Sequence, residues 1–379
     1  AGNQGALSVT VEVQTVNFVV TQGLTRAISL SSTSNQVEVA WMAADATVYD
    51  VLYTDSPGMQ DSLSNTWKLM STVTNSWMSD NGGTNAEGVV RVGPSFNQHT
   101  MRFYRVAREQ VWRTNQVVRR ASREVYAAKP VSLVAGENWI SLFGIPDTST
   151  VAYVLGTNRL AGGSTVADSP KVTWFRAGNV GTNLAGEATN VIYLTASGNW
   201  MYSVGGAGVA NSQLMPLDQA FLLELPADAS PVNLVLIGRV PTNQVVQTLA
   251  GGSRTSPQYH VLSLPFPQRT PIGQAGIVGS GFVANNNFLL ADEVRILNNR
   301  NGRGSLESPK ARLYRRTDQT WRYYLTPTNP ADFVNGVIPA AADYIIEPDE
   351  AVLIIRRNAG AMYWTNRFLY TAPGKNMDP

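Results

Sequence analysis

Residues 7 to 14 alternate strictly, with Leu7, Val9, Val11 and Val13 on one side and Ser8, Thr10, Glu12 and Gln14 on the other. A period of two is the pattern of an extended strand with one apolar face. Val16, Phe18 and Val20 resume the alternation as even positions after a slip, and Gly23 ends it. Further on, short segments rich in Val, Ile, Tyr and Trp recur between clusters of Gly, Pro, Asn, Ser and Thr, and apolar spacing of the helical kind is nearly absent. The class read from this pattern is all-β, as tandem β-sandwich or β-rich domains with short connectors.

From Ala27 to Ala107, Val37, Val39 and Trp41 form an alternating strand ending in a Trp, followed by Tyr49, Val51 and Tyr53. Trp67 and Trp77 fit the middle strands, and Phe103, Tyr104 and Val106 form a late aromatic strand. This arrangement resembles the fibronectin type III and immunoglobulin-like sandwiches, whose inward strands carry a core Trp. The segment before Gly23 is then an addition to the sandwich. Residues 108–129 carry Arg108, Arg113, Arg119, Arg120, Arg123 and Lys129 against Glu109 and Glu124. They are expected to be the last strand of the first domain, running into a linker at Pro130.

After Pro130 the pattern repeats. Trp139 to Pro146 matches Val261 to Pro267, with Ser141 and Ser263 separated by 122 positions; Asn199 to Tyr202 matches Thr320 to Tyr323 at 121, and Asp218 to Leu223 matches Asp349 to Ile354 at 131. Ordered matches at a near-constant spacing imply one β-domain present twice, the second with about ten extra residues between Pro327 and Asp343. The expected layout is an extension over 1–22, a sandwich over 23–129, and β-domains over 130–250 and 251–379.

Composition narrows the chemistry. None of the 379 residues is Cys, which excludes a disulfide scaffold, a thiolate metal site and a cysteine nucleophile. Apolar runs such as Phe221–Leu223 and Val352–Ile355 fall far short of the roughly 20 residues of a membrane-spanning helix, so no membrane span is expected. Absence of Cys, a surface-type composition and a first stretch of Ala1, Gly2 and Asn3 lead us to expect export to the cell surface after removal of a signal peptide. Net charge is +2, unevenly placed: 2 basic and 8 acidic side chains over 1–90, 9 and 2 over 91–129, 4 and 7 over 130–250, 14 and 10 over 251–379. A chain acidic at the front and basic at the back attracts its like head to tail.

Catalytic constellations are not apparent. His99 and His260 lie in different expected domains, neither beside a recognisable nucleophile. Asp292 with Glu293, and Glu347 with Asp349 and Glu350, could supply calcium oxygens or glycosidase acids, but neither group has the spacing of a calcium loop. Gly205, Gly206 and Gly208 lack the Lys-Ser/Thr of a phosphate loop and read as a turn. The expectation is no enzyme, no cofactor and no metal. Arg119, Arg120, Arg123, Arg312, Arg315 and Arg316 are the candidate interface residues, suited to an acidic polysaccharide or to another copy of the chain rather than to nucleic acid. The nearby Tyr314, Trp321, Tyr323 and Tyr324 are expected in a sandwich core.

The leading strand sets the functional expectation. Leu7 to Gln14 carries none of the Lys, Pro or bulge guards that blunt natural sheet edges. It is loosely similar to the donor strands of pilus-type subunits, which complete a neighbour's sandwich. Such a head-to-tail joint propagates into a filament or surface layer. Folding back onto its own sandwich is the other course open to the strand, and a monomeric adhesin or carbohydrate-binding surface protein is the alternative function.

Overall fold

The computed structural model describes residues 30–31, 34–35, 37–43, 48–55, 68–74, 86–92, 101–111, 117–121 and 125–366, with internal gaps at 147, 158, 176–178, 181–187, 242, 278–280, 298–308, 331–332 and 334–335. The described chain is nearly all β. The first strands are β1 (Leu30–Ser31), β2 (Ser34–Asn35), β3 (Val37–Ala43), β4 (Val48–Thr54), β5 (Lys68–Thr74), β6 (Ala86–Val92), β7 (Arg102–Val111) and β8 (Val117–Ala121). Next come β9 (Tyr126–Leu133), β10 (Gly136–Ile140), a one-turn helix α1 (Val151–Val154), β11 (Lys171–Phe175), β12 (Asn179–Val180), β13 (Ala188–Leu194), β14 (Trp200–Val204), β15 (Phe221–Leu225) and β16 (Val232–Arg239). The last are β17 (Val245–Leu249), β18 (Gln258–Leu262), β19 (Thr270–Pro271), β20 (Glu293–Leu297), β21 (Ala311–Arg315), β22 (Trp321–Tyr323), β23 (Ile345–Ile346), β24 (Ala351–Arg356) and β25 (Met362–Asn366).

In the N-terminal part, β3 pairs with β6, and separately β5, β4 and β7 run side by side with β8 added on β7. That second sheet does not end at residue 129. β9 pairs with β7 through Arg102–Tyr104 and along its whole length with β16, so the sheet continues into the following region. Pro130, expected as a linker, is buried within β9 opposite Val235. One apolar cluster correspondingly runs from Leu52 and Phe103 through Val131 and Leu133 to Trp200 and Leu236.

The two later sheets share a strand order. The middle sheet is ordered β10-β15-β11-β13-β14 and the C-terminal sheet β18-β24-β20-β21-β22, all antiparallel, with β12 added on β18. Their registers agree as well. Trp139 lies opposite Leu222 and Val261 opposite Leu353; Val172 lies opposite Ile192 and Val294 opposite Leu313; Leu194 lies opposite Trp200 and Arg315 opposite Trp321. Outside each sheet a flanking pair follows the same plan, β9 with β16 and β17 with β25. β17 thus pairs with the C-terminal region, although it precedes residue 251. Between β22 and β24 the second sheet has a longer connection, and its Phe333, Tyr344 and Ile346 join the C-terminal core.

The short apolar runs now have a cause. Along β24, Val352 and Ile354 enter the C-terminal core while Ala351, Leu353 and Ile355 enter a seam against the middle sheet. A strand covered on both faces reads as a continuous hydrophobic run instead of an alternating one. β15 does the same, with Phe221, Leu223 and Leu225 in the middle core and Leu222 in the seam. Trp139 and Phe175 complete the seam from the middle sheet, their rings stacked at 5.5 Å, facing Val261 and Leu297.

Hydrogen bonds close this seam reciprocally. Ser141 Oγ accepts from Leu264 N at 2.9 Å and Ser263 Oγ from Leu142 N at 3.1 Å. Ser141 N donates to the Asp349 carbonyl and Ser263 N to the Asp218 carbonyl, each at 3.2 Å. The buried Lys129 ammonium pairs with Asp349 across the same boundary. Seven large apolar side chains, at about 1.5–3 kcal/mol each when fully buried, outweigh that one ion pair, so apolar burial holds the seam and the polar contacts fix its register.

Candidate functional site

The carboxylate groups singled out in the sequence are held in the framework. Glu350 lies 2.5 Å from the buried Lys310 ammonium and accepts from Glu347 N at 2.9 Å; Glu347 in turn receives Arg269 Nε at 3.0 Å. The Lys310 ammonium also stands 5.0 Å from the centre of the Phe333 ring. Asp292, fully buried, meets Arg356 at 3.1 Å and accepts from Val283 N, Arg357 N and Asn358 Nδ2. Carboxylates that receive this many donors anchor the loops that carry them. No group of three or more His, Asp or Glu among the described residues is placed to hold a metal ion.

His260 is a packing residue of the same kind. It is buried on β18, with Nε2 3.1 Å from the Ala250 carbonyl oxygen. Burial pushes its imidazole below the ordinary value, a shift opposed by the Ala250 hydrogen bond and aided by the nearby Arg356 charge. At the same strand position in the middle sheet stands Asn138, whose amide bonds Val134 N and the Val134, Gly136 and Leu223 carbonyls. Both tie a strand to the turn that enters it. His99 lies outside the described residues. Gly205 and Gly208, with φ of 83° and 76°, form the bend after β14, in agreement with the turn reading.

What remains is a face of the C-terminal sheet. The alternation along β20–β22 sends Val294, Leu313 and Trp321 inward and puts Glu293, Arg295, Arg312, Tyr314 and Arg322 on the other side. Glu293 is its hub: Oε1 accepts from Arg312 Nε at 2.7 Å and Arg295 Nε at 2.8 Å, and Oε2 from Arg357 Nη2 at 2.6 Å. Burial alone pushes this carboxyl up, but the hydrogen bonds from Arg312, Arg295 and Arg357 and the Arg295 charge outweigh it and hold the group down at about 2. The Arg312 guanidinium carbon also stands over Tyr324, 3.9 Å from the ring centre, and Phe288 meets Tyr324 in a T-shaped contact with ring centroids 4.2 Å apart. The cluster is therefore preorganised: the guanidinium planes are set by Glu293 on one edge and an aromatic ring beneath.

The sequence grouped Arg312, as an interface candidate, with Arg315 and Arg316, which make other contacts. Arg315 is opposite Trp321, on the inward-facing register, and reaches the Gln319 carbonyl at 3.4 Å. Arg316 bonds Asn286 Oδ1 at 3.2 Å in the following turn. Arg119 and Arg120 fall on β8 opposite Glu109 and Arg108. Arg123, and the assembly strand of Leu7, Val9, Val11 and Val13, lie outside the described residues, as do Trp67 and Trp77. Tyr314 and Tyr324, expected in a core, are instead half-buried on the arginine face, a correction that follows from strand parity: Trp321 and Tyr323 face the core, while Arg322 and the Tyr314 opposite it fall on the other side. Arg357 and Phe288 were not singled out, and Glu293 was singled out only beside Asp292 as a possible calcium or glycosidase acid, although the alternate acid and base of Glu293 and Arg295 was a legible hint of the cluster. Comparison with family models, with curated proteins and with solved structures gives no match to this chain.

Proposed function

We propose that the chain is an extracellular structural protein, a subunit that joins head to tail with copies of itself into a filament or surface layer. The observation that carries this reading is serial polarity. The acidic first 90 residues lead, through a basic stretch over 91–129 that includes β7 and β8, to the middle sheet, and the middle sheet meets in its seam a C-terminal sheet whose outer half presents the arginine face. Opposite charges at the two ends of a chain of joined sheets favour end-to-end association over side-by-side association in register. The separate pairings of β3 with β6 and of β4, β7 and β8 support reading 23–129 as a sandwich of the fibronectin type III or immunoglobulin-like kind. The common order and register of the later sheets support reading 130–250 and 251–379 as two copies of one unit. The leading strand, Leu7 to Val13, is the proposed joint.

Purified full-length protein should scatter light increasingly with concentration and show filaments or sheets by negative-stain imaging. Deleting residues 1–22 should leave a folded monomer that no longer grows. A full-length chain that stays monomeric at every concentration, or a deletion that unfolds the first domain, defeats the reading. One observation favours the monomeric carbohydrate-binding alternative: the half-exposed Tyr324 and Tyr314 beside arginines, a surface suited to a sugar ring.

A further inference from the structure

The middle and C-terminal sheets provide an internal control for what the fold itself requires. Thr173, Val191 and Met201 stand at the register positions occupied in the second sheet by Arg295, Arg312 and Arg322. Lys171 stands where Glu293 does, and the two share the neighbour Tyr193 or Tyr314. The same strand order and pairing thus form without a single arginine among the described residues of this face. Packing explains the inward residues of both sheets; it does not explain why one outer face is neutral and the other carries a ring of guanidiniums.

The chemistry of that face selects a ligand class. One Glu293 carboxylate cannot balance both Arg312 and Arg357, and Arg322 is exposed with no hydrogen-bond partner among the described residues. Arg312 donates to Glu293 through Nε alone among the described residues, which leaves the paired Nη edge, the geometry that grips a carboxylate with two parallel bonds. It is held between Glu293 and Tyr324, so little side-chain freedom is lost when an anion docks. Tyr314 and Arg322, directly opposite each other on β21 and β22, extend the same face by one strand spacing of about 4.8 Å. A flat strip of alternating cation and aromatic ring matches a polymer whose sugar rings each bear a carboxylate: the ring lies on the aromatic and the acid on the guanidinium. A nucleic acid would need several open rings for its successive bases, whereas Tyr324 is already engaged by Arg312 and Phe288, which leaves Tyr314 to carry a single sugar ring.

We propose that the outer face of β20–β22 is a binding site for a carboxylated polysaccharide, with Arg312 and Arg322 gripping acid groups, Tyr314 carrying a sugar ring and Tyr324 holding the Arg312 guanidinium in place. This goes beyond the assembly reading and stands whether or not the chain polymerises. The test is titration calorimetry of the full-length chain with hexameric oligouronate, neutral dextran oligomers and oligo-dT, at about 50 and about 300 mM salt. Oligouronate should bind, weaken several-fold at the higher salt, and outcompete both other polymers. Arg322→Gln, which breaks no side-chain hydrogen bond among the described residues, should lower affinity about 3- to 10-fold, and Tyr314→Leu by a similar factor. The matching change on the middle sheet, Tyr193→Leu, should leave affinity unchanged. Circular dichroism of each variant separates lost binding from lost fold. The proposal is overturned by absence of oligouronate binding at low salt, by equal binding of dextran, by tighter binding of oligo-dT, or by unaltered affinity in a folded Arg322→Gln. Filament formation is scored separately by light scattering, so failure of the site and failure of assembly are distinct results.

Discussion

Glu293 shows how a single acid governs the surface above it. Its folded value of about 2 lies below the ordinary 4.5, so it stabilises the fold fully above pH 4.5, and that contribution is lost as pH falls from 4.5 toward 2. The depression corresponds to roughly 3 kcal/mol at neutral pH. Glu293→Gln should therefore unfold at lower urea than the parent at pH 7, by about 3 kcal/mol, with the two stabilities converging near pH 2; equal stabilities at pH 7 would contradict the hub role. The cluster was only half legible in the sequence. Arg312 could be picked out from a basic run, but Arg357 reaches Glu293 across 64 positions of chain, a separation that no local pattern reports. His260 illustrates the converse. The sequence offers no nucleophile beside it, and the equivalent Asn138 reveals that the position asks for a polar tie to the entering turn.

Among the elements, the pair of residues Ser141 and Ser263 is the most informative. Each caps a backbone N–H of the other sheet, and both are fully buried. Ser141→Ala strands Leu264 N and Ser263→Ala strands Leu142 N, and an unsatisfied buried donor costs about 1–3 kcal/mol. Each variant should lower the urea midpoint by a similar amount, and variants indistinguishable from the parent would show the bonds to be replaceable by water. The sequence revealed these two serines through their common surroundings, because buried strands with the same neighbours keep the same side chains. It misjudged the limits of the elements for a physical reason. Pro130 looks like a break, since proline donates no hydrogen bond, yet in β9 the strand continues through it. Likewise β17 precedes the sequence match and pairs with β25 near the far end of the described chain, a partnership that depends on long-range register.

For the whole molecule, the seam predicts that the connection between the middle and C-terminal regions is dispensable once folding is complete. Asn243 and Gln244 are exposed in the segment from β16 to β17. Cleavage at a protease site introduced between them should leave the two fragments co-eluting on size exclusion, whereas Leu222→Asp combined with Leu353→Asp should release them. Separation of the unmutated fragments would show that the covalent link, not the seam, holds them together. The all-β class was plain from alternation and punctuation, but the continuity of the first sheet into the middle region was not. The pairing of like surfaces across the seam also carries an arithmetic of its own. Each sheet hides its apolar back only by meeting a second sheet of the same plan, so adding one more such module would leave a greasy plane facing water. Longer variants of this architecture should accordingly gain modules two at a time, and a chain with an odd number should dimerise to hide the one left over.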